Sequence, residues 1–376
     1  MDLGRRAQID RYIYHAIPED PDGKTDILSI PAEDAQDTID VAWKKVDEPV
    51  PTIHPNTHTL EDQTALLRKL CLKISSRDHI LPTDFYITGV KCTDPEPQFS
   101  GSSAHIYLGE YRGKVVIVKR PLISSNDMTG TSDLMLEFCR EALLWNKLRH
   151  PHILPLIGVS RDAFVRTICL VSPRMDGGSL RQRVSNQDHG KRLSADSFEA
   201  HVNRWLYQAV LGLVYLHGQG VVHGDFHGGN ILIDADETAK VTDFGFSLIA
   251  DATPKAYGSR HGGAAFYWRA PEFWEPELFG LEHSRASPAC DSYAFGCTCI
   301  EVYTDRAPWT PASGKSPTMY RVSKEVLNGK RPPRPTSPYG NLMCDHLWEV
   351  VEDSWRQYHT ERLTAAQIAD RMAVFG

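Results

Sequence analysis

The sequence predicts an α+β chain in which a small strand-rich lobe precedes a larger helical lobe. Apolar runs of strand length recur between residues 85 and 172, Gly177-Gly178 follows, and helical spacing of apolar residues takes over across 198–217. Strand-rich and helix-rich segments that follow one another, rather than alternating, indicate segregated layers. The 376 residues suit two packed domains or one large two-lobed domain.

Residues 1–58 are rich in Asp, Pro and Thr, lack clear periodicity, and read as a poorly structured N-terminal extension. Prolines at 49, 51 and 55 bar a helix there and predict an extended path over a surface. Thr59 is placed to cap a helix over 60–77, with Leu66, Leu67, Leu70 and Ile74 at helical spacing and Pro82 beyond its end. Residues 59–83 are thus a helical lead-in, expected to dock in cis on the small lobe, with a regulatory partner the other candidate for its apolar face. Strands are expected at 85–90, 104–111 and 113–119, the last two joined at Arg112-Gly113 as a hairpin. A polar loop over 124–132, a helix near 134–148 and strands near 153–159 and 167–172 complete the first lobe.

Composition narrows the function. Lys and Arg number 41 against 48 Asp and Glu, a net charge of -7, which argues against a partner held on nucleic-acid phosphates. No apolar run approaches the ~18 residues of a membrane span, so no membrane insertion is expected. The N-terminus has no apolar core after Arg5-Arg6, unlike a secretory signal, and Asp2 replaces the glycine that myristoylation needs. The eight cysteines form no Cys-x-x-Cys pair and read as reduced, buried thiols, and the sixteen histidines show no zinc spacing. A cytoplasmic chain without a structural metal is expected.

Chemistry-bearing residues then appear in a telling order. Lys119 ends a buried strand, Glu141 lies in the next helix, Asp225 and Asn230 fall in His223-Gly224-Asp225-Phe226-His227-Gly228-Gly229-Asn230, and Asp243 opens Asp243-Phe244-Gly245. Each piece alone is weak; a strand-end lysine is usually a surface residue. Together they resemble the protein kinases from residue 84 to the C-terminus. Val116-Ile117-Val118-Lys119 is similar to that family's lysine strand, and 223–230 to its catalytic loop. Ala270-Pro271-Glu272 is similar to the end of its activation segment, and Asp291 to the aspartate anchoring the catalytic loop. Arg362 sits where the family pairs an arginine with the glutamate matched by Glu272. Trp268 and Arg331-Pro332-Pro333-Arg334-Pro335 resemble the tyrosine-kinase-like group of Ser/Thr kinases.

The resemblance implies a two-lobed kinase fold over 84–376, with an N-lobe at 84–172, a hinge at 173–176 and a C-lobe at 177–376. It implies ATP and Mg²⁺ as cofactors and a protein substrate as partner. Lys119, fixed by Glu141, would hold the α and β phosphates; Asp243 and Asn230 would offer oxygens to Mg²⁺; Asp225 would take the acceptor's proton. Trp145, His223 and Phe244 match the family's apolar column. Alignment on Gly178-Ser179-Leu180 puts Ser172 at the gatekeeper position, with a register shifted by one residue still open. Backbone groups of Pro173 and Met175 would then bind adenine, Ile106 and Leu232 would sandwich it, and Ser179 would reach the ribose. Gly101 is the glycine kept from the phosphate-covering loop.

Departures are equally legible. Phe99 and Ala104 replace two loop glycines, and Ile117 narrows the adenine site. His227 stands where Ser/Thr kinases carry a lysine. Gly224 replaces the arginine that grips a phosphorylated activation loop, although Thr253, Tyr257 and Ser259 remain as modifiable hydroxyls. Since Lys119, Asp225 and Asp243 all persist, a working Ser/Thr kinase is expected. A pseudokinase scaffold, or a tyrosine or small-molecule kinase, stays open at this point.

Overall fold

In the computed structural model the described residues are 1–19, 25–47, 59–101, 104–122, 130–164, 167–185, 193–243, 248–249, 264–284, 286–311 and 313–376. They form two compact units, one of residues 1–147 and 156–173, the other of 148–155 and 174–376.

The first unit opens with helices α1 (Leu3–Ala16), α2 (Ala35–Asp47) and α3 (Leu60–Asp78). Strands β1 (Lys91–Cys92), β2 (Phe99–Ser100), β3 (Ala104–Tyr111) and β4 (Lys114–Pro121) come next, then α4 (Gly130–Lys147), β5 (Gly158–Ser160) and β6 (Cys169–Pro173). The sheet runs β1-β3-β4-β6-β5, with β2 also paired to β3. The β3–β4 hairpin turns on Arg112 and Gly113 at φ 51° and 74°. Two left-handed residues in a two-residue loop match the right-handed twist of the flanking strands. Gly109 is required by close approach, because a Cβ there would lie 2.8 Å from Val118 Cγ2.

Alternation along β4 sorts its side chains. Val116 and Val118 enter a core with Val90, Tyr107, Cys169 and Val171, which places Ile117 and Lys119 on the other face. The register sets Ile106 opposite Lys119 and Ser172 opposite Ile117, so these four share that face.

Three sequence expectations differ from the structure here, the first being the strand near 153–159, which is confined to Gly158–Ser160 with an isolated bridge at Ile153. Residues 1–58, expected to be poorly structured, carry α1 and α2, with Ile9, Ile13, Ile39 and Ala42 fully buried or nearly so. α1 buries only Ile9, Ile13 and Ala16, a narrow stripe among polar residues, whereas α2 buries Ala35, Thr38, Ile39, Val41, Ala42 and Trp43. The 85–90 strand is instead a 3-10 turn at Thr83–Phe85 followed by a single bridge from Tyr86 to Val159. Pro82 before it and Gly89 at φ 87° after it leave no room for a ladder. Thr59 does cap α3, through a reciprocal pair with Asp62.

The second unit contains α5 (Leu180–Val184), α6 (Ala195–Gly218), β7 (Val221–Val222), β8 (Ile231–Ile233), β9 (Ala239–Val241) and β10 (Leu248–Ile249). Helices α7 (Pro288–Thr304), α8 (Met319–Leu327), α9 (Asp345–Ser354) and α10 (Ala365–Met372) follow. Every residue of α7 from Cys290 to Tyr303 is buried, so it is a central rod rather than an amphipathic surface helix. Among the described residues no helix is long and apolar enough to cross a membrane.

Candidate active site

In the first unit Lys119 Nζ donates to Glu141 Oε1 of α4 at 2.7 Å. Both side chains are largely withdrawn from solvent, at 18% and 7% exposure, which strengthens a charge-assisted bond. Gly101 N–H donates to Ala104 O at 2.9 Å, closing the short turn at the tip of β2–β3. Ile106 and Ser172 lie on the Lys119 face of the sheet, as the register requires. Pro173 ends β6 opposite Val116.

In the second unit the 223–230 loop lies between β7 and β8 and hangs from α7. Asp291 accepts the N–H groups of His223 and Gly224, both at 2.8 Å, and His217 Nε2 at 2.8 Å. Burial pushes the Asp291 carboxyl up, but His217, His223 and the Gly224 amide outweigh it and hold it below the usual carboxylate range. Thr298 Oγ1 donates to Phe226 O at 3.3 Å, and Glu301 accepts Gly228 N–H at 2.9 Å. Glu301 also takes Arg181 of α5, so its buried charge is paired. The His223 ring is pinned between Asp225 N–H at 3.2 Å and Thr242 O at 3.0 Å. Gly224 sits at φ 80°, a left-handed conformation that costs a side-chain-bearing residue ~1–2 kcal/mol.

Asp225 projects from this frame. Asn230 Nδ2 donates to its main-chain oxygen at 2.9 Å and its Oδ2 at 3.2 Å. His227 Nε2 lies 3.6 Å from Asp225 Oδ2, while its Nδ1 accepts Gly229 N–H at 2.9 Å. That donation leaves the proton of the neutral ring on Nε2, facing Asp225. Burial pulls the imidazole down, and the Asp225 carboxylate more than reverses it, so His227 holds a proton more tightly than usual.

Asn230's amide nitrogen is engaged, which leaves its carbonyl oxygen as the hard donor. Asp243, next after Thr242, adopts φ 66°, a left-handed strain of the kind kept at functional positions. Among the described residues no three His, Cys, Asp or Glu cluster as a metal site. Two oxygen donors of this kind fit Mg²⁺, which keeps phosphate and water as its other ligands.

The remaining adenine and ribose candidates are placed as follows. Met175 carbonyl accepts Gly178 N–H at 3.2 Å, and Leu232 in β8 bridges Ser179. The Ser179 hydroxyl is occupied by capping α5 with Gln182, so a ribose would compete for it. Phe244, Thr253, Tyr257 and Ser259 lie outside the described residues. Arg362 and Glu272 form a bidentate buried pair at 2.7 Å and 2.7 Å, and Arg362 holds the Glu272 carboxyl down against the upward push of burial. Sequence reading missed Arg181, Thr298 and Glu301. A glutamate inside an otherwise apolar helix was the available signal, because such a charge requires a partner.

Comparison with known proteins agrees with this arrangement. The protein kinase domain family matches residues 100–372. The chain is 30% identical over 217 residues to the mitogen-activated protein kinase kinase kinase bck1 of Aspergillus fumigatus, covering 56% of this chain and 12% of that protein. It is 30% identical over 218 residues to mitogen-activated protein kinase kinase kinase 3 of Arabidopsis thaliana, covering 57% and 32%. It is 29% identical over 238 residues to the serine/threonine/tyrosine-protein kinase HT1 of Arabidopsis thaliana, covering 63% and 56%. The chain thus spans between about an eighth and somewhat over half the length of these relatives. With the strand lysine, the anchored catalytic loop and the Glu272–Arg362 pair in place, the chain belongs to the protein kinase family.

Proposed function

We propose that residues 84–376 transfer the γ-phosphate of ATP to serine or threonine of protein substrates. The observation that carries this reading is Asp225, steadied by Asn230, in a loop whose backbone N–H groups donate to Asp291 and Glu301. The relative HT1, named a serine/threonine/tyrosine-protein kinase, is compatible with serine and threonine as acceptors without separating them from tyrosine. When bound, ATP supplies the phosphoryl group and Mg²⁺ neutralises charge on its oxygens.

Lys119, oriented by Glu141, would hold the nonreacting phosphates. Asp225 would orient the acceptor hydroxyl and take its proton as that oxygen bonds to phosphorus and ADP departs. Its carboxylate is already held by Asn230, so little reorganisation is needed at the moment of transfer. On taking up a second proton at Nδ1, with loss of the Gly229 N–H bond there, His227 would supply the cation otherwise given by a lysine. Pro173 carbonyl and Met175 N–H would bind the adenine edge, Ile106 and Leu232 its two faces, Gly101 the phosphates, and Ser179 the ribose. Asn230 and Asp243 would hold Mg²⁺.

The test is mass-spectrometric detection of phosphate on a generic protein acceptor given ATP and Mg²⁺, with Asp225→Asn beside the wild type. Phosphoserine or phosphothreonine from wild type only is expected, with the variant down by roughly 10²–10⁴-fold. Phosphate on neither, together with a thermal shift by ATP, would instead make the chain a nucleotide-binding scaffold. Ile117 on the Ile106 face and the engaged Ser179 hydroxyl are the observations favouring that second reading.

A further inference from the structure

Lys119 and Glu141 belong to different elements, a strand and a helix, so their bond survives only while those elements keep one spacing. Helices α2 and α3 are together fastened to both. On the helix side, α3 packs along α4. Lys147, the last residue of α4, places Nζ 4.5 Å from the centroid of the Trp43 ring of α2. Its charge also reaches Cys71, which is fully buried in α3.

On the sheet side, Asp40 of α2 accepts both the N–H and the hydroxyl of Thr83 at 2.7 Å. Gln36 donates to Leu81 O at 3.0 Å, and Trp43 meets Phe85 edge-on at 5.3 Å. The chain leaving that turn joins the sheet directly, with Ile87 N–H donating to Val159 O of β5 at 2.9 Å. Trp43 is therefore wedged between the end of α4 and the entry to the sheet. Within α4, every residue from 138 to 145 except Arg140 is buried. A helix buried through two turns cannot swing without exposing apolar surface.

We propose that α2 and α3 are a brace in cis that fixes α4 against the sheet and thereby holds Glu141 on Lys119. Trp43 and Lys147 are positioning residues for that pair. The inference rests on the kinase reading for its consequence in catalysis, but the brace itself has a readout that needs no phosphate transfer. That readout is the rate at which acetic anhydride acetylates Lys119 in the full chain without nucleotide, followed by mass spectrometry. An amine held by a carboxylate keeps its proton and reacts slowly.

Glu141→Gln sets the rate of the amine without its carboxylate, expected roughly fivefold above wild type for an ion pair of this kind. Trp43→Ala is expected to approach that rate and to add nothing in the Glu141→Gln background, with Trp43→Phe returning it towards wild type. Lys147→Met, which keeps the apolar stem and removes the charge, is expected to fall between them and decides the matter should Trp43→Ala fail to fold. A wild-type Lys119 rate in folded Trp43→Ala or Lys147→Met protein overturns the brace, as does an effect that adds to Glu141→Gln. Where the wild type transfers phosphate, Trp43→Ala is expected to lower kcat roughly tenfold, again without further loss in Glu141→Gln. A wild type that transfers nothing overturns the kinase reading and leaves acetylation to decide the brace.

Discussion

Lys119 and Glu141 meet through an ion pair between a strand and a helix, whereas Asp225 and Asn230 sit in a loop bonded repeatedly to one buried helix. Asp291, Thr298 and Glu301 of α7 together hold His223, Gly224, Phe226 and Gly228. Hydrogen bonds to charged groups contribute ~1.5–3 kcal/mol each, so this loop cannot shift without a large loss. The Lys119–Glu141 pair instead joins a strand to a helix, so its geometry also depends on packing between those elements. The loop is therefore built into the stability of its unit, whereas the ion pair depends on how a strand and a helix pack within the other. Breaking a contact in the first should cost folding, and in the second, function.

The sharpest way to break that contrast is Arg362→Met. It strands the Glu272 carboxylate in the interior and should cost ~3–5 kcal/mol in denaturant unfolding. The acid side of the stability curve should change with it. Glu272, held low by Arg362, stabilises wild type above the ordinary carboxylate range and loses that contribution as pH falls through its depressed value. Without Arg362 that dependence should vanish or reverse. Unchanged unfolding would mean that the pair does not hold the second unit together.

Glu141→Gln should behave in the opposite way. Phosphate transfer should fall roughly 10²-fold, as for loss of one electrostatic positioning group, with unfolding changed by less than the ~3–5 kcal/mol of a stranded buried charge, because the glutamine amide oxygen still accepts from Lys119. A large stability loss would erase the distinction between the two halves.

The smallest effect concerns His227. Its raised pKa means the charged ring prevails below that value and is lost as pH rises through it. Wild-type transfer should decline over that rise, by roughly tenfold, and His227→Lys should keep a flat profile. Equal profiles for the two proteins would remove His227 from the reaction.

How far the sequence disclosed these features depended on sequence distance. The catalytic loop was legible because its informative residues lie within eight positions, and the β3–β4 hairpin because Arg112-Gly113 stands between two alternating runs. The anchors Thr298 and Glu301 were not, since their partners lie 72 and 73 residues away. Asp291 was legible only through its neighbours in a family motif. The N-terminal helices escaped because burying a few residues such as Ile9 and Ile13 suffices once other helices cover them, a tertiary fact that local periodicity does not carry.

The dependence of the catalytic loop on α7 also orders events during synthesis. His223 and Gly224 find their acceptor 68 and 67 residues later in the chain. A ribosome adding ~5–20 residues per second delivers Asp291 seconds after Asp225 has emerged. Until then Asp225 and Asn230 are present, but the carboxylates that accept the loop's N–H groups are not. The 223–230 loop therefore cannot take up its bonded geometry until α7 has been made.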